Sequence, residues 1–235
     1  MANDLVTFKE KGGNTMAAEH QFRSVPAKTK YGSGAHLWDQ VLFESQHFVA
    51  IPTLGHLVQG WLLVVPKDCH ICVGALPVQL IEELIGFLDD VVSSVRAEYG
   101  PVAVFEHGPV RPLTAVGCGV DYAHVHVVPV KGDWSLLKAA KTMAPQIQWE
   151  MVLSLHDTRK YFEQSRSYLF LHEPFAVKPV MGTGPSIPSQ LFRRIIANYV
   201  DRPHDFDWKK YPEVERIQST VERLQKSARS IGGVY

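Results

Sequence analysis

Apolar and polar side chains alternate along residues 121–129, the stretch around which we expect the rest of the chain to be arranged. In this stretch His124 and His126 are separated by one valine and followed by another. Because a strand turns successive side chains to opposite faces, period-two alternation predicts that both imidazoles lie on one face. The valines then point into a core and hold the strand in place.

Short apolar runs predict further strands, and apolar residues spaced three and four apart predict helices. The predicted strands cover 41–45, 46–52, 60–66, 101–105 and 167–172. The predicted helices cover 77–99, 134–144, about 146–156, a short segment from 157, 189–199 and 212–230. Residues 177–188 are rich in Gly and Pro and predict a loop. The pattern indicates an α+β fold in which helices, the long 77–99 helix first among them, pack on one side of an antiparallel sheet.

Composition divides the chain into three regions. Residues 1–35 are rich in Gly, Lys, Ser and Thr without periodicity, which predicts a flexible N-terminal arm. Residues 36–133 hold most of the predicted strands and the histidine strand, and we expect them to form the catalytic domain. The composition changes after this point, so residues 134–235 are predicted to form a mixed, mainly helical extension that packs on that domain.

Charge and cysteine content narrow the functional classes. The 235 residues carry 24 acidic and 24 basic side chains, so net charge gives no argument for binding nucleic acid or a membrane. The three cysteines do not suggest a disulfide framework and fit a reducing compartment. The N-terminal residues lack the apolar core of a secretory signal, and no apolar run approaches the ~20 residues that span a bilayer. We therefore expect a soluble cytoplasmic protein with no nucleic-acid or membrane partner.

Two histidines on one rigid face could bind a metal ion or take part in chemistry at phosphorus. The alternative without a function is a half-exposed strand that happens to carry two histidines. A zinc ion could use these histidines with Cys118, and Cys69 and Cys72 form a further Cys-x-x-Cys pair. The chain has no second paired motif at zinc-finger spacing. We therefore predict no metal and no cofactor.

The phosphorus alternative uses a neutral imidazole as the nucleophile. Attack on phosphorus forms a phosphoramidate and divides one displacement into two steps. The second histidine can protonate the leaving oxygen or stabilise developing charge. Directly before the strand, Gly117, Cys118 and Gly119 could offer backbone amides to the phosphate oxygens, although a tight turn without a ligand explains the glycines equally well.

The segment from Gly117 to Pro129 resembles the His-x-His-x-His signature of the histidine triad (HIT) superfamily of nucleotide hydrolases and transferases. Other stretches follow the order of the family's elements, namely 48–52, 60–67 with His70, 77–99 and 105–108. The resemblance covers roughly residues 36–130. The C-terminal part lies outside the core family domain and resembles the extension of a longer bacterial-type branch, through 188–190 and Arg193.

The resemblance implies a role for each matching residue. His124 corresponds to the nucleophile that takes up the nucleoside monophosphate, His126 to the histidine that contacts phosphate and leaving group, and His70 to an upstream supporting histidine. Tyr122 stands where the family has its first histidine, and a phenol does not relay protons as imidazole does near neutral pH. The family commonly holds the ribose hydroxyls with an Asp, and this chain has Ile51–Pro52 there.

A further set of residues could contact the phosphate or the nucleotide. These residues are Lys67, Glu106, His107, Gly117, Cys118, Gly119, Gln190 and Arg193. A solvated turn accounts equally well for Glu106 and His107. A polar helix face accounts better for Gln190 and Arg193.

The implied function is a nucleotide-processing hydrolase that cleaves a nucleoside 5′-phosphate anhydride, ester or phosphoramidate through a nucleotidyl-histidine intermediate at His124. One alternative is a nucleotidyltransferase or phosphorylase of the same superfamily. Another is a nucleotide-binding protein whose turnover is reduced by Tyr122. The expected partner is the nucleotide substrate. The family often forms dimers, so a homodimer is one implied assembly, although the C-terminal extension could cover that surface.

Overall fold

The computed structural model describes residues 38, 40–116 and 121–230, with side chains described as far as residue 225. The strands are β1 (Phe43–Glu44), β2 (Phe48–Pro52), β3 (Leu62–Pro66), β4 (Val102–Gly108), β5 (Val125–Pro129), β6 (Gln148–Met151), β7 (Tyr168–His172) and β8 (Val180–Thr183). The α-helices are α1 (Val78–Tyr99), α2 (Leu136–Met143), α3 (Asp157–Glu163), α4 (Leu191–Tyr199) and α5 (Val214–Ser230). A 3-10 turn spans Val73–Ala75. The predicted arm over residues 1–35 lies outside the described residues.

All eight strands form one sheet in the order β1-β2-β3-β5-β4-β7-β8-β6, and every pairing is antiparallel. The α+β class and the antiparallel sheet are therefore confirmed. The sheet continues without interruption from the strands before residue 133 to those after it. Strands β7, β8 and β6, which all come from the C-terminal part of the chain, extend the sheet beyond β4.

The long helix α1 packs on the sheet as the apolar stripe predicts. Its buried residues recur at spacings of three and four, and they are Ile81, Leu84, Phe87, Leu88, Val91 and Val95. They join a core cluster with Val125 and Val127 of β5. The helix ends at Gly100, which adopts a positive φ of 86° that favours glycine.

The opposite face of the sheet is covered by helices as well, which corrects the expectation of helices on one side only. Residues of α2 and α4 form a second core cluster with Ala103, Phe105 and Val128. The sheet is thus buried between two helical layers. The two histidines of the central strand belong to this second face, because Val128 shares their alternation.

Two predictions in the C-terminal part were wrong. Residues 146–156, expected to be helical, contain β6, and the Gly- and Pro-rich loop at 177–188 contains β8. The β6 sequence is polar and largely exposed, so neither helical nor strand periodicity stands out. Both strands form through pairing, since β8 is held between β7 and β6 in the sheet.

The last helix, α5, fixes the loop that follows β2. Nε2 of the buried His56 lies 2.7 Å from the Thr220 hydroxyl, and that hydroxyl accepts a hydrogen bond from the Gly60 amide at 2.9 Å. Leu54 packs with Ile217 and other residues of a small apolar cluster beside this helix. Among the described helices, none combines the length and apolarity required to cross a bilayer.

Candidate active site

The central strand places His124 and His126 side by side on the face that carries α4. Their ring centroids lie 5.0 Å apart, and the two side chains are only 7% and 5% exposed. Leu63 and Phe105 are the register partners of His126 on the two neighbouring strands. Alternation therefore brings both imidazoles together in a buried site.

A backbone contact fixes the tautomer of His124. Its Nδ1 lies 2.7 Å from the carbonyl oxygen of Tyr122, and since a carbonyl can only accept, Nδ1 carries the proton. In the neutral ring, Nε2 then keeps its lone pair. Burial lowers the pKa of His124, the Tyr122 carbonyl opposes this, and the Arg193 charge lowers the pKa further. His124 is thus held as a neutral imidazole with a nucleophilic Nε2.

His126 is held in the opposite tautomer. Its Nδ1 accepts a hydrogen bond from the Trp61 indole N–H at 3.0 Å, and because indole only donates, the proton of the neutral ring is on Nε2. The ring stacks on Phe105 at 4.4 Å between centroids. Burial lowers the pKa of His126 well below its usual value, and the neighbouring His124, His107 and Arg193 add to this. One ring therefore offers a lone pair and its neighbour an N–H.

Arg193 of α4 packs on Trp61, and its charge helps to lower the pKa of His107, His124 and His126. Its guanidinium lies 4.6 Å from the centroid of the Trp61 ring, and it donates to the Phe206 carbonyl at 2.9 Å and to the Gly55 carbonyl. Gly55 has a φ of 66°, and a Cβ there would collide with the guanidinium. The side chain is 3% exposed, so Arg193 is not part of a solvated helix face.

Gln190 lies at the start of α4, where it adopts a left-handed φ of 56°. It is also buried, with 8% exposure, and its carbonyl accepts from the Arg194 amide at 2.9 Å. Like Arg193, it is therefore part of the interior and not of a polar helix surface.

His107 adds a third imidazole from the neighbouring strand. It lies on the same face as Phe105, with its ring centroid 6.2 Å from that of His126 and 5.3 Å from that of Phe192. The side chain is 2% exposed, and neither ring nitrogen has a hydrogen-bond partner among the described residues. Burial, followed by electrostatic interaction with His124 and Arg193, lowers its pKa to about 3. His107 is therefore neutral, buried and unsatisfied, and not part of a solvated turn.

Glu106, the neighbour of His107 on β4, points to the other face of the sheet. Its carboxylate accepts from the Val73 amide at 2.6 Å and from the Tyr168 hydroxyl at 2.8 Å. Burial raises the pKa of Glu106 to about 7. Cys72 lies in the core cluster of that face, and burial with the nearby Glu106 raises the pKa of its thiol to about 12. The structure does not bring Glu106 to the histidines, because strand alternation separates the two faces.

Tyr122 is attached to the backbone and does not stand free beside the histidines. Its hydroxyl donates to the carbonyls of Pro66 at 2.8 Å and Lys67 at 3.2 Å. Burial, then the neighbouring Cys69 and Asp68, raise the pKa of the phenol. The phenol therefore stays protonated at neutral pH, with its proton directed at the main chain.

Lys67 and His70 lie at the corner beside Tyr122. The Lys67 ammonium pairs with Glu44 of the edge strand at 2.6 Å. The His70 carbonyl accepts from the Ala123 amide at 2.6 Å, which sets its backbone next to the entry of β5. This corner supports the histidine strand mainly through main-chain contacts.

The predicted amide cradle of Gly117, Cys118 and Gly119 lies outside the described residues. Over 40–116 and 121–230, no group of three His, Cys, Asp or Glu side chains is arranged to hold a metal ion. Cys69 is exposed and Cys72 is buried, and both are free thiols.

Trp61 has a part in the site that the sequence pattern does not reveal, because it lies in an apolar run that predicts only a buried strand. Trp61 is fully buried, and its N–H fixes the tautomer of His126. One signal was available, because a buried indole N–H usually requires an acceptor. The acceptor could not be identified without the pairing of β3 with β5.

Comparisons with known proteins give structural likenesses only. No protein-family model matches the chain, and no curated protein matches it. A HIT-like protein involved in cell-cycle regulation from Bartonella henselae superposes with a TM-score of 0.37 and 11% identity, over 61% of this chain and 93% of that one. A HIT family protein from Bacillus anthracis superposes with a TM-score of 0.35 and 18% identity, over 53% of this chain and 94% of that one.

A hypothetical histidine triad nucleotide-binding protein from Sulfolobus tokodaii gives a TM-score of 0.36 and 16% identity, over 61% of this chain and 89% of that one. What the site can do chemically follows from its geometry.

Proposed function

We propose that this protein is a HIT-type nucleotide-processing enzyme that cleaves a phosphate bond of a nucleoside 5′-phosphate derivative through a nucleotidyl intermediate on His124. One observation carries the proposal. Two neutral imidazoles, 5.0 Å apart between centroids, are fixed in opposite tautomers on one buried face. A displacement at phosphorus needs both functions, because one ring must attack and another group must bind the charged oxygens.

The first step uses the lone pair on Nε2 of His124. It forms an N–P bond to the α-phosphorus, and the bond from phosphorus to the leaving group breaks with its electron pair on the leaving atom. The Tyr122 carbonyl, which accepts from Nδ1, stabilises the positive charge that develops on the ring. Water then attacks phosphorus, the N–P bond breaks, and the nucleoside monophosphate leaves. The net reaction consumes one water, whose two protons are shared between the products.

His126 and His107 are the donors in this scheme. The Nε2–H of His126 donates to a non-bridging phosphate oxygen, and His107 can donate to a second one from its unsatisfied ring. Such fixed donors act strongly where burial excludes water. The charge of the buried Arg193, which also lowers the pKa of these histidines, favours the negative charge that the phosphate brings.

Tyr122 restricts which leaving groups the enzyme handles well. Its proton is bonded to backbone carbonyls and the pKa of the phenol is raised, so it is a poor proton donor to a leaving atom. A phosphate leaving group departs as a stable anion and needs no proton, whereas an amine requires one. We therefore favour anhydrides over phosphoramidates as substrates.

The test is a single-turnover experiment with dinucleoside polyphosphates. The wild type is expected to release nucleoside monophosphate and to carry an acid-labile nucleotidyl label. His124→Ala should lose both, with turnover down at least about 10³-fold. Glu106→Gln, on the other face of the sheet, is the matched control and should keep both. Unchanged labelling in His124→Ala would overturn the proposed intermediate.

The alternative of a nucleotide-binding protein with reduced turnover is favoured by one feature, the engagement of Tyr122 with the main chain. The single-turnover experiment distinguishes the enzyme from the binding protein. If wild type and His124→Ala bind nucleotides equally well and neither releases monophosphate, the protein is a nucleotide-binding protein instead.

A further inference from the structure

We propose that a polar cleft built largely by the C-terminal part of the chain binds the portion of the substrate beyond the scissile bond. The ligand class is a phosphate-bearing, hydroxyl-rich group, namely a sugar phosphate or a second nucleoside phosphate. The assignment as a leaving-group site rests on the proposed function, whereas binding to the cleft can be measured separately.

The cleft has a volume of about 770 Å³ and lies between the loop after β4 and the ends of β7 and β8. Two guanidiniums line it, Arg111 and Arg166, and no Asp or Glu is among its described lining residues. Arg166 donates to the Thr183 hydroxyl at 2.8 Å. Arg111 is exposed and forms no ion pair with the described residues, so its charge is available to a ligand.

The cleft lies at the same end of the sheet as the histidines. Phe105 pairs with His126, so the same register continued by two residues sets His107 opposite His124. Gly108, the next residue of β4, pairs with the first residue of β7, and β8 ends beside that point. Since β5, β4, β7 and β8 are consecutive in the sheet, the histidine strand and β8 are three spacings apart, about 15 Å.

The floor of the cleft is continuous with the packing beneath the histidines. Val116 and Ile187 line the cleft and belong to the same apolar cluster as Phe105 and Phe192. Those two aromatic rings are in contact with His126 and His107. A substrate with its phosphorus at His124 and a phosphate chain extending across β4 and β7 would therefore place its far end in the cleft.

The chemistry of the lining fits this class of ligand. Guanidinium groups bind phosphate in a bidentate manner, and hydroxyl and amide side chains pair with sugar hydroxyls. Such hydroxyl and amide groups come from Gln146, Gln148, Ser167, Thr183 and Ser186. The volume lies within the ~300–1,000 Å³ of small-molecule sites. Formal net charge is zero, so a small anion suits the cleft better than a nucleic acid.

The kinetic test compares substrates that transfer the same nucleotidyl group. Arg111→Glu should raise KM at least about 10-fold for a dinucleoside polyphosphate or a nucleoside diphosphate sugar. It should leave KM for the p-nitrophenyl ester of the nucleoside monophosphate within about 2-fold, because that leaving group has neither charge nor hydroxyls. Arg111→Lys keeps the charge but loses the bidentate geometry, and should raise KM less than Arg111→Glu does. Equal effects on all substrates, or none, would overturn the proposal.

A binding test works without turnover. ATP and glucose 1-phosphate, the leaving groups of the two substrate types, are titrated into wild type and Arg111→Glu by calorimetry. At least one probe should bind wild type and lose about 10-fold in affinity in the variant, and which probe does so identifies the source of the phosphate. Absence of binding, or binding unaffected by the substitution, rejects the cleft even if nucleotides are cleaved. Arg111-dependent binding without cleavage of any nucleotide keeps the cleft and rejects the proposed function.

Discussion

Glu106 and His107 are consecutive residues of β4 that point to opposite faces of the same sheet, and both are at least 98% buried. The Glu106 carboxylate is bonded to the Val73 amide and the Tyr168 hydroxyl, and that hydroxyl also accepts from the Gly74 amide at 2.9 Å. The ring nitrogens of His107 have no hydrogen-bond partner among the described residues. One face thus has a completed polar network and the other an incomplete one.

The difference separates a structural role from a binding role. A buried polar group normally has its hydrogen bonds satisfied, because an unsatisfied one destabilises the fold by about 1–3 kcal/mol. Glu106 meets this condition by attaching the 3-10 turn at Val73–Ala75 to the sheet. His107 does not meet it, and it lies beside two histidines with fixed tautomers. We propose that the phosphate of the substrate accepts the hydrogen bond that the His107 ring does not form within the described residues.

Within this comparison of the two faces, the largest expected effect is that of His107→Phe, which preserves ring packing against Phe105 and Phe192 but removes both nitrogens. We expect kcat/KM for dinucleoside polyphosphates to fall roughly 10–100-fold through loss of one donor to phosphate. The free energy of unfolding should stay equal or increase, because two unsatisfied polar atoms leave the core. Steady-state kinetics and urea unfolding on the same preparation measure both.

The matched control for that variant is Glu106→Gln on the opposite face. It should show the reverse pattern, with kcat/KM unchanged and the free energy of unfolding altered. If His107→Phe leaves activity intact and only the stability changes, His107 is a core residue and the comparison between the faces fails.

The next effect concerns pH and stability, where the two residues should act with opposite sign. The pKa of Glu106 is raised from 4.5 to about 7 in the folded state, so its contribution to stability is present below pH 4.5 and lost as pH rises to 7. The pKa of His107 is lowered from 6.5 to about 3, so its contribution is present above pH 6.5 and lost as pH falls towards 3.

Urea unfolding from pH 4 to pH 8 tests this through difference curves against wild type. Glu106→Gln should remove a loss of about 3 kcal/mol in the free energy of unfolding between pH 4.5 and 7, and His107→Phe should remove the loss below pH 6.5. Difference curves with the same sign for both variants would contradict the assignment of the two faces.

The smallest effect is expected at Tyr122. Tyr122→Phe removes the hydrogen bond to the Pro66 carbonyl and should reduce the free energy of unfolding by about 1 kcal/mol, with anhydride cleavage changed little. Tyr122→His supplies an imidazole at the position of the first histidine of the signature and should keep or raise the turnover of a nucleoside phosphoramidate. A slower rate in Tyr122→His would show that the phenol has its own part in the reaction.

Part of the fold and of the site could be predicted from local pattern alone. The stripe on α1 and the alternation on β5 each follow from a repeat that the backbone geometry dictates, so the elements and the shared face of His124 and His126 were accessible. Strands β6 and β8 were not, because their sequences have no strong alternation and become strands only through pairing. The face on which Glu106 lies could not be predicted either, because β4 runs to Gly108, three residues beyond the predicted end of the strand.

By itself the sequence determined that two histidines share one face of a rigid strand, because side-chain direction in a strand depends only on position along it. Tertiary structure decided which proton each ring carries, since the Tyr122 carbonyl and the Trp61 indole that fix them reach the rings only in the folded backbone. It also decided the addition of His107 and Arg193 from other elements, because contacts between residues distant in sequence depend on strand order and helix packing, which no local repeat encodes.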